Sequence, residues 1–207
     1  MPNPWLAVSL AEYEGHMAAP GVRQLAALSD LFAEALAYGR PESVAILGIA
    51  GGNGLERIDS RAIRRVVGLD VNPSYLDAVR ERHDGLRGLE LHCADLSGET
   101  LALAAVELVH AALIFEHAGL DRCLDNALAL AVPGGALSAV LQLPGDSESI
   151  APSASPAIRA LKPRFSLIDP ARFRETLGAR GFRLAYQTRR PLPEGKAFWM
   201  GIFRHAP

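Results

Sequence analysis

Cysteine is scarce in this chain of 207 residues: Cys93 and Cys123 are its only two, far apart and each in an apolar stretch. A disulfide framework is excluded, and both read as buried, reduced thiols suited to a reducing compartment. Lysine is scarce too, with Lys162 and Lys196 alone, and 21 basic against 23 acidic residues leave a net charge of -2. No global field draws a polyanion, so nucleic acid is not an expected partner. The small clusters Arg61, Arg64, Arg65 and Arg189, Arg190 have no interleaved aromatics and read as solvated faces. No apolar run reaches the 18 residues that a membrane span needs. The first ten residues hold no Lys or Arg, carry Pro2 and Pro4, and soon meet Glu12 and Glu14, which does not match a secretory signal. A soluble cytoplasmic protein with no membrane association is the expectation. Repeats are lacking, and 19 Gly with 14 Pro stay below low-complexity levels, which excludes a solenoid.

What is present is 49% apolar and 21% charged residues, the balance of a globular chain. At this length, folding removes roughly 70% of the unfolded surface from water, so neither disulfide nor metal is required.

Elements alternate along the first two thirds. Residues 21–39 place Val22, Leu25, Leu28, Leu31, Phe32 and Leu36 at helical spacing, with Gly39-Arg40-Pro41 as a stop. Residues 44–47 form a short apolar run opening into glycine, which predicts a strand buried on both faces. Further strands are predicted over 65–70, 89–93, 108–115 and 136–143, with helices over 74–83 and 120–131; the second helix stops at Pro133-Gly134-Gly135. Residues 144–167, with four prolines and five serines, show no period and read as a long loop. Asp169-Pro170 starts a helix that Gly181 terminates, and residues 182–186 and 197–203 make a final hairpin interrupted by Pro191 and Pro193. The expectation is an α/β Rossmann-like, doubly wound sheet of seven strands, six parallel and the last in sequence antiparallel, with helices on both faces. Ligands bind such sheets at the carboxyl ends of the strands.

Gly48-Ile49-Ala50-Gly51-Gly52-Asn53-Gly54 joins the first strand to Leu55-Glu56-Arg57-Ile58, read as helical, where a ligand can approach the backbone near a helix amino terminus. Asp70 closes the second strand, where a carboxylate can accept from both hydroxyls of a ribose. Dinucleotides and S-adenosylmethionine both use this geometry. The glycine spacing also matches short-chain dehydrogenases, but neither lysine has Tyr four residues before it, as their acid-base pair requires.

Residues 46–56 resemble the first motif of the class I S-adenosylmethionine-dependent methyltransferases, although Gly48 stands where that family usually has Asp or Glu and Ala50 where it usually has the first glycine. Residues 67–73 are similar to its second motif, His92-Cys93-Ala94-Asp95-Leu96 to its third, residues 107–117 to its fourth, and residues 130–137 to the turn before its fifth strand. The resemblance covers residues 44–143 best. It implies S-adenosyl-L-methionine as cofactor, S-adenosyl-L-homocysteine as product, and a cofactor site of Gly48, Ala50, Gly51, Gly52, Asn53, Gly54, Asp70, Val71, Asp95 and Leu96. Asp70 would hold the ribose and Asp95 the adenine amino group, with Leu96 packing on the ring. Glu116 and His117, read as ending the fourth strand, are the catalytic candidates, through a base or an orienting hydrogen bond.

Tyr13, His16 and Met17 precede the first predicted helix, and the resemblance implies that such segments fold over the pocket; Tyr13, His16 and Gln142 are the acceptor-binding candidates. Lys196 and Trp199 are candidates for the rim. No metal site is expected. The reading is one methyltransferase domain over 1–207, with an N-terminal helical lid (1–40), a cofactor core (41–143), a substrate loop (144–168) and a C-terminal helix and hairpin (169–207). The expected reaction is methyl transfer to an O or N atom of a small-molecule acceptor. The alternatives are a non-catalytic adenosyl-ligand-binding regulatory module, motivated by Gly48, and a nucleotide-cofactor oxidoreductase; oligomeric state is open.

Overall fold

The computed structural model describes residues 3–145 and 154–205. Residues 146–153 of the predicted loop lie outside the described part. In chain order the elements are α1 (Leu10–Ala18), α2 (Gln24–Gly39), β1 (Ser43–Leu47), β2 (Arg65–Asp70), α3 (Pro73–Arg82), β3 (Leu89–Cys93), β4 (Val106–Ala112), α4 (Phe115–Ala118), α5 (Arg122–Ala129), β5 (Ala131–Leu143), α6 (Pro156–Arg159), α7 (Pro170–Gly178), β6 (Phe182–Pro191) and β7 (Ala197–His205).

The strands form one sheet in the order β3-β2-β1-β4-β5-β7-β6. Strands β1 to β5 pair in parallel, and β7 runs antiparallel to both of its neighbours, so the expected six-to-one arrangement holds. Alternate residues of β1 explain why its run is apolar throughout. Val44 and Ile46 join the core beneath α2, with Leu31, Phe32 and Ala35, whereas Ala45 and Leu47 join the opposite core with Leu124 of α5 and Phe173 of α7. Both faces are covered, as a parallel sheet requires. No helix among the described residues is long and apolar enough to cross a membrane.

Several local expectations are corrected. Residues 10–18 are helical: Ser9 and Glu12 form a reciprocal capping box that starts α1. The turn after β1 leads into a single 3-10 turn, Leu55–Arg57, because Asp59 accepts from Arg61 N and turns the chain away. No helix dipole stands behind the glycine turn. Strand β4 stops at Ala112, and the apolar run continues as α4, since an apolar run by itself does not separate strand from helix. Strand β5 begins at Ala131, taking up Pro133-Gly134-Gly135 as an irregularity in register between the pairs Val106↔Ala131 and Leu108↔Ala136. Strand β6 continues to Pro191, which its place at the sheet edge tolerates. Cys123 is buried as expected but Cys93 is exposed, because it ends the edge strand β3.

Candidate functional site

One cavity lies at the carboxyl ends of β1, β2, β3 and β4, under the amino-terminal segment and residues 158–165. Gly48, Ala50, Asp70, Val71, Asp95 and Leu96 line one part of it. Tyr13, His16, Met17, His117 and Gln142 line the rest, together with Trp5, Gln24, Arg164 and Phe165. Gly51, Gly52, Asn53, Gly54 and Glu116 are not among its lining residues.

The turn after β1 shapes the site more than it contacts it. Ala50 has a left-handed φ of 47°, the conformation in which glycine is at ease, which accounts for glycine being the residue expected there. A Cβ on Gly51 would lie 2.2 Å from Glu14 Oε1 and 2.7 Å from Arg82 Nη1, so a side chain here would displace the ends of the two side chains that join α1 and α3 over the turn. The Arg82 guanidinium pairs with Glu14 there and also donates to Gly51 O. Asn53 faces away, donating to Leu25 O.

The amides of this turn are largely committed. Gly48 N and Ile49 N donate to Leu69 O, Gly52 N to Ile49 O, and Gly54 N to Glu56 Oε2. Ala50 N donates to Asp70 Oδ2 at 2.9 Å, while Asn72 N donates to Asp70 Oδ1 at 2.9 Å. Asp70 is therefore pinned at the end of β2, 7% exposed, with one further lone pair on each oxygen. Burial raises its pKa, against the opposing pull of those amides.

Asp95 follows β3. Its Oδ1 accepts from Ser97 N and Oγ, and its Oδ2 from Asn3 Nδ2 at 3.0 Å. Partial burial acts to raise its pKa, but the hydrogen bonds from Ser97 and Asn3 outweigh it and hold the carboxyl below its ordinary value. Asn3 is thus a cavity residue that the sequence reading missed.

Glu116 and His117 stand on the first turn of α4, not at a strand end. Glu116 is 1% exposed and its Oε1 accepts from Gln142 N at 2.8 Å, which brackets α4 to the end of β5. Its Oε2 has no partner, and burial pushes the carboxyl up to about 7. His117 reaches the cavity with Nδ1 buried and unpartnered, and burial holds the imidazole down to about 4. It is neutral at pH 7. Trp5 and Phe165 meet its ring edge-on, with centroids 4.9 Å and 5.0 Å away.

Half-buried Tyr13 also lines the cavity, and burial, with the charges of Asp70 and Glu14, drives its phenol pKa upward, so it stays neutral. The His16 pKa is lowered by burial and by the charge of Lys196. Lys196 is buried at the β6–β7 turn without lining the cavity. Trp199 packs in the core and donates to Gln187 Oε1, away from any rim. Gln24, 5% exposed at the start of α2, is a second polar lining residue that no local pattern announced. Of the predicted substrate loop, Ile158, Leu161, Arg164 and Phe165 reach the cavity, on α6 and the turn after it.

The methyltransferase domain family matches residues 46–139 of this chain. A comparison with curated proteins gives no match. Among solved structures, the chain is similar to the magnesium protoporphyrin IX methyltransferase (ChlM) of Synechocystis PCC 6803 with bound SAM, with a TM-score of 0.71 and 13% identity over 99% of this chain and 98% of that one. It is similar to the N-methyltransferase NodS of Bradyrhizobium japonicum WM9 in complex with S-adenosyl-l-homocysteine, with a TM-score of 0.70 and 15% identity over 100% of both chains. The [4+2]-cyclase SpnF is also similar, with a TM-score of 0.68 and 14% identity over 91% of this chain and 83% of that one. Identities this low establish the fold alone, and a cyclase among them shows that the fold does not dictate the reaction. The family match covers the central strands of the seven-stranded sheet, and it is to the S-adenosylmethionine-dependent methyltransferases that this chain is similar.

Proposed function

We propose that the protein transfers a methyl group from S-adenosylmethionine to an oxygen or nitrogen atom of a small-molecule acceptor. The observation that carries this is the single cavity that joins the Asp70 and Asp95 carboxylates to a chamber walled by aromatic side chains and the unpartnered Nδ1 of His117. The spare lone pairs of Asp70 suit two ribose hydroxyls, and the one left on Asp95 Oδ2 suits an exocyclic amino group. With most of its amides committed, the glycine turn is poorly supplied with donors for a pyrophosphate, which favours an adenosyl ligand over a dinucleotide.

Bound in this cavity, S-adenosylmethionine would supply an electrophilic sulfonium methyl group. The protein's own contribution is alignment and the exclusion of water, which suffice for a displacement at carbon when the acceptor atom is unprotonated. His117, neutral and with its buried Nδ1 unpartnered, orients the acceptor by one hydrogen bond; with its pKa held at about 4 it is a weak base. Glu116 acts behind it, fixing α4 against β5. Gln24 adds a carboxamide to the lining of a cavity in which Gly48 stands in place of the family's acid.

Calorimetric titration with S-adenosylmethionine and S-adenosylhomocysteine, with NAD and NADP as controls, tests the reading. Adenosyl ligands alone are expected to bind, at micromolar concentration. Asp70→Ala is expected to lower that affinity at least tenfold with the fold retained, since a hydrogen-bonded charged group contributes ~1.5–3 kcal/mol. A folded protein that binds neither adenosyl ligand overturns the proposal, and wild-type affinity in the variant removes the ribose assignment.

A further inference from the structure

One wall of the cavity is built of rings. Three segments distant in sequence deliver Trp5, His117 and Phe165 to one continuous wall of rings. Trp5 and Phe165 are only half-buried, whereas aromatic residues of the two main cores, such as Phe173, Phe198 and Phe203, are 0% exposed. Apolar ring surface left facing a cavity is surface that a ring-bearing ligand would remove from water.

Beside Phe165 stands Arg164, the single lysine or arginine among the lining residues. Arg57, Arg65 and Arg82 are each committed to a carboxylate, but Arg164 makes no ion pair or side-chain hydrogen bond among the described residues. Both imidazoles of the cavity have lowered pKa values, and the charge of Lys196 reaches His16 strongly enough to contribute. The aspartates that line the cavity, Asp70 and Asp95, already accept hydrogen bonds from Ala50, Asn72, Ser97 and Asn3. A cation placed against the rings would meet the like charge of Arg164, whereas an anion there would pair with it.

We infer that the acceptor is a ring-bearing molecule with an acidic group, its ring held against Trp5, His117 and Phe165 and its acid paired with Arg164. This rests on the methyl-transfer reading for the word acceptor, but the binding preference is measurable without it. The full chain is titrated with 2-naphthoate, neutral 2-naphthamide and cationic 2-naphthylmethylammonium, each with and without saturating S-adenosylhomocysteine. 2-Naphthoate is expected to bind at least tenfold more tightly than either analogue. Arg164→Gln is expected to erase that preference, Arg164→Lys to keep part of it, and Phe165→Leu to weaken naphthoate and naphthamide alike. Equal binding of naphthoate and naphthamide, tighter binding of the cation, or a preference that survives Arg164→Gln overturns the inference. Loss of the preference with S-adenosylhomocysteine still bound overturns this inference alone; the preference without S-adenosylhomocysteine binding overturns the methyl-transfer reading alone.

Discussion

The seam between β5 and β7 and the cavity edge of the same sheet are built on different terms. Along the seam, antiparallel pairing runs unbroken from Ala136↔Arg204 to Leu143↔Ala197, and Leu137, Val140, Leu141, Phe198, Met200 and Phe203 are 0% exposed. Backbone polar groups are met by the ladder and side chains by packing. The cavity edge gathers what the seam avoids. Ala50 and Leu113 hold left-handed φ values of 47° and 57°, and Glu116 Oε2 and His117 Nδ1 are buried without partners. Strain and unmet polar groups collect along the cavity, and the apolar seam supplies the stability that tolerates them.

The largest way to break this comparison is in the seam. Phe203 packs against Phe173 and Trp199, with centroids 5.6 Å and 6.2 Å away. Phe203→Ala is expected to lower unfolding stability by about 3–5 kcal/mol in urea titration while the folded fraction keeps its affinity for S-adenosylhomocysteine. A smaller loss would mean that the seam relaxes around the missing ring.

At the cavity edge the expected effect depends on pH. Glu116 titrates at about 7 in the fold against 4.5 ordinarily, so the native state holds a proton that the unfolded chain has released, and stability falls as pH rises between those values. His117 and the core residue His110 titrate at about 4 against 6.5; there the unfolded chain binds the protons, and stability falls as pH drops from 6.5. Two protons outweigh one below 6.5, so the urea midpoint is expected to peak near that pH. Glu116→Gln should remove the alkaline fall, a gain of up to about 3 kcal/mol at pH 8, and leave the acid limb in place. An unchanged alkaline limb would show that Glu116 ionises without cost.

Ala50→Gly relieves a left-handed alanine and is expected to raise stability by about 0.5–1 kcal/mol, net of the freedom that glycine adds to the unfolded chain. Destabilisation would mean that the Ala50 methyl group packs usefully against the cavity. The smallest effect is expected at the ion pair between Glu14 and Arg82, both partly exposed. Glu14→Gln should cost under about 1 kcal/mol in global stability, yet speed amide exchange in α1 relative to the β5–β7 seam. Equal exchange in the two regions would show that α1 is held by its apolar contacts alone.

The local order of the strands could be read because each buried strand needs an apolar run, and the carboxyl end of such a run is where a parallel sheet presents ligand groups. Asp70, Asp95 and Gly48 were singled out in this way, and all three line the cavity, whereas Gly51, Gly52, Asn53 and Gly54 of the same turn do not. Other features were in the sequence and were not used: Ser9 with Glu12 is a capping box for α1. The apolar run ending in Phe115 could not reveal that it bends into α4, because burial favours both strand and helix there. The exposure of Cys93 depends on β3 lying at the edge of the sheet, a matter of strand order and not of neighbouring residues.

By itself the amino-acid sequence determined the alternation of elements, the parallel grammar of the sheet and the acidic positions at the end of β2 and just after β3, because each is a local consequence of residue type, spacing and turn chemistry. Only the tertiary structure decided that Asn3 meets Asp95 across 92 positions, that Trp5, His117 and Phe165 share one wall, and that Arg164 faces the same cavity. Those contacts join segments with no common period, and they form because the strand ends leave a hollow that distant segments cover as they bury their own apolar side chains.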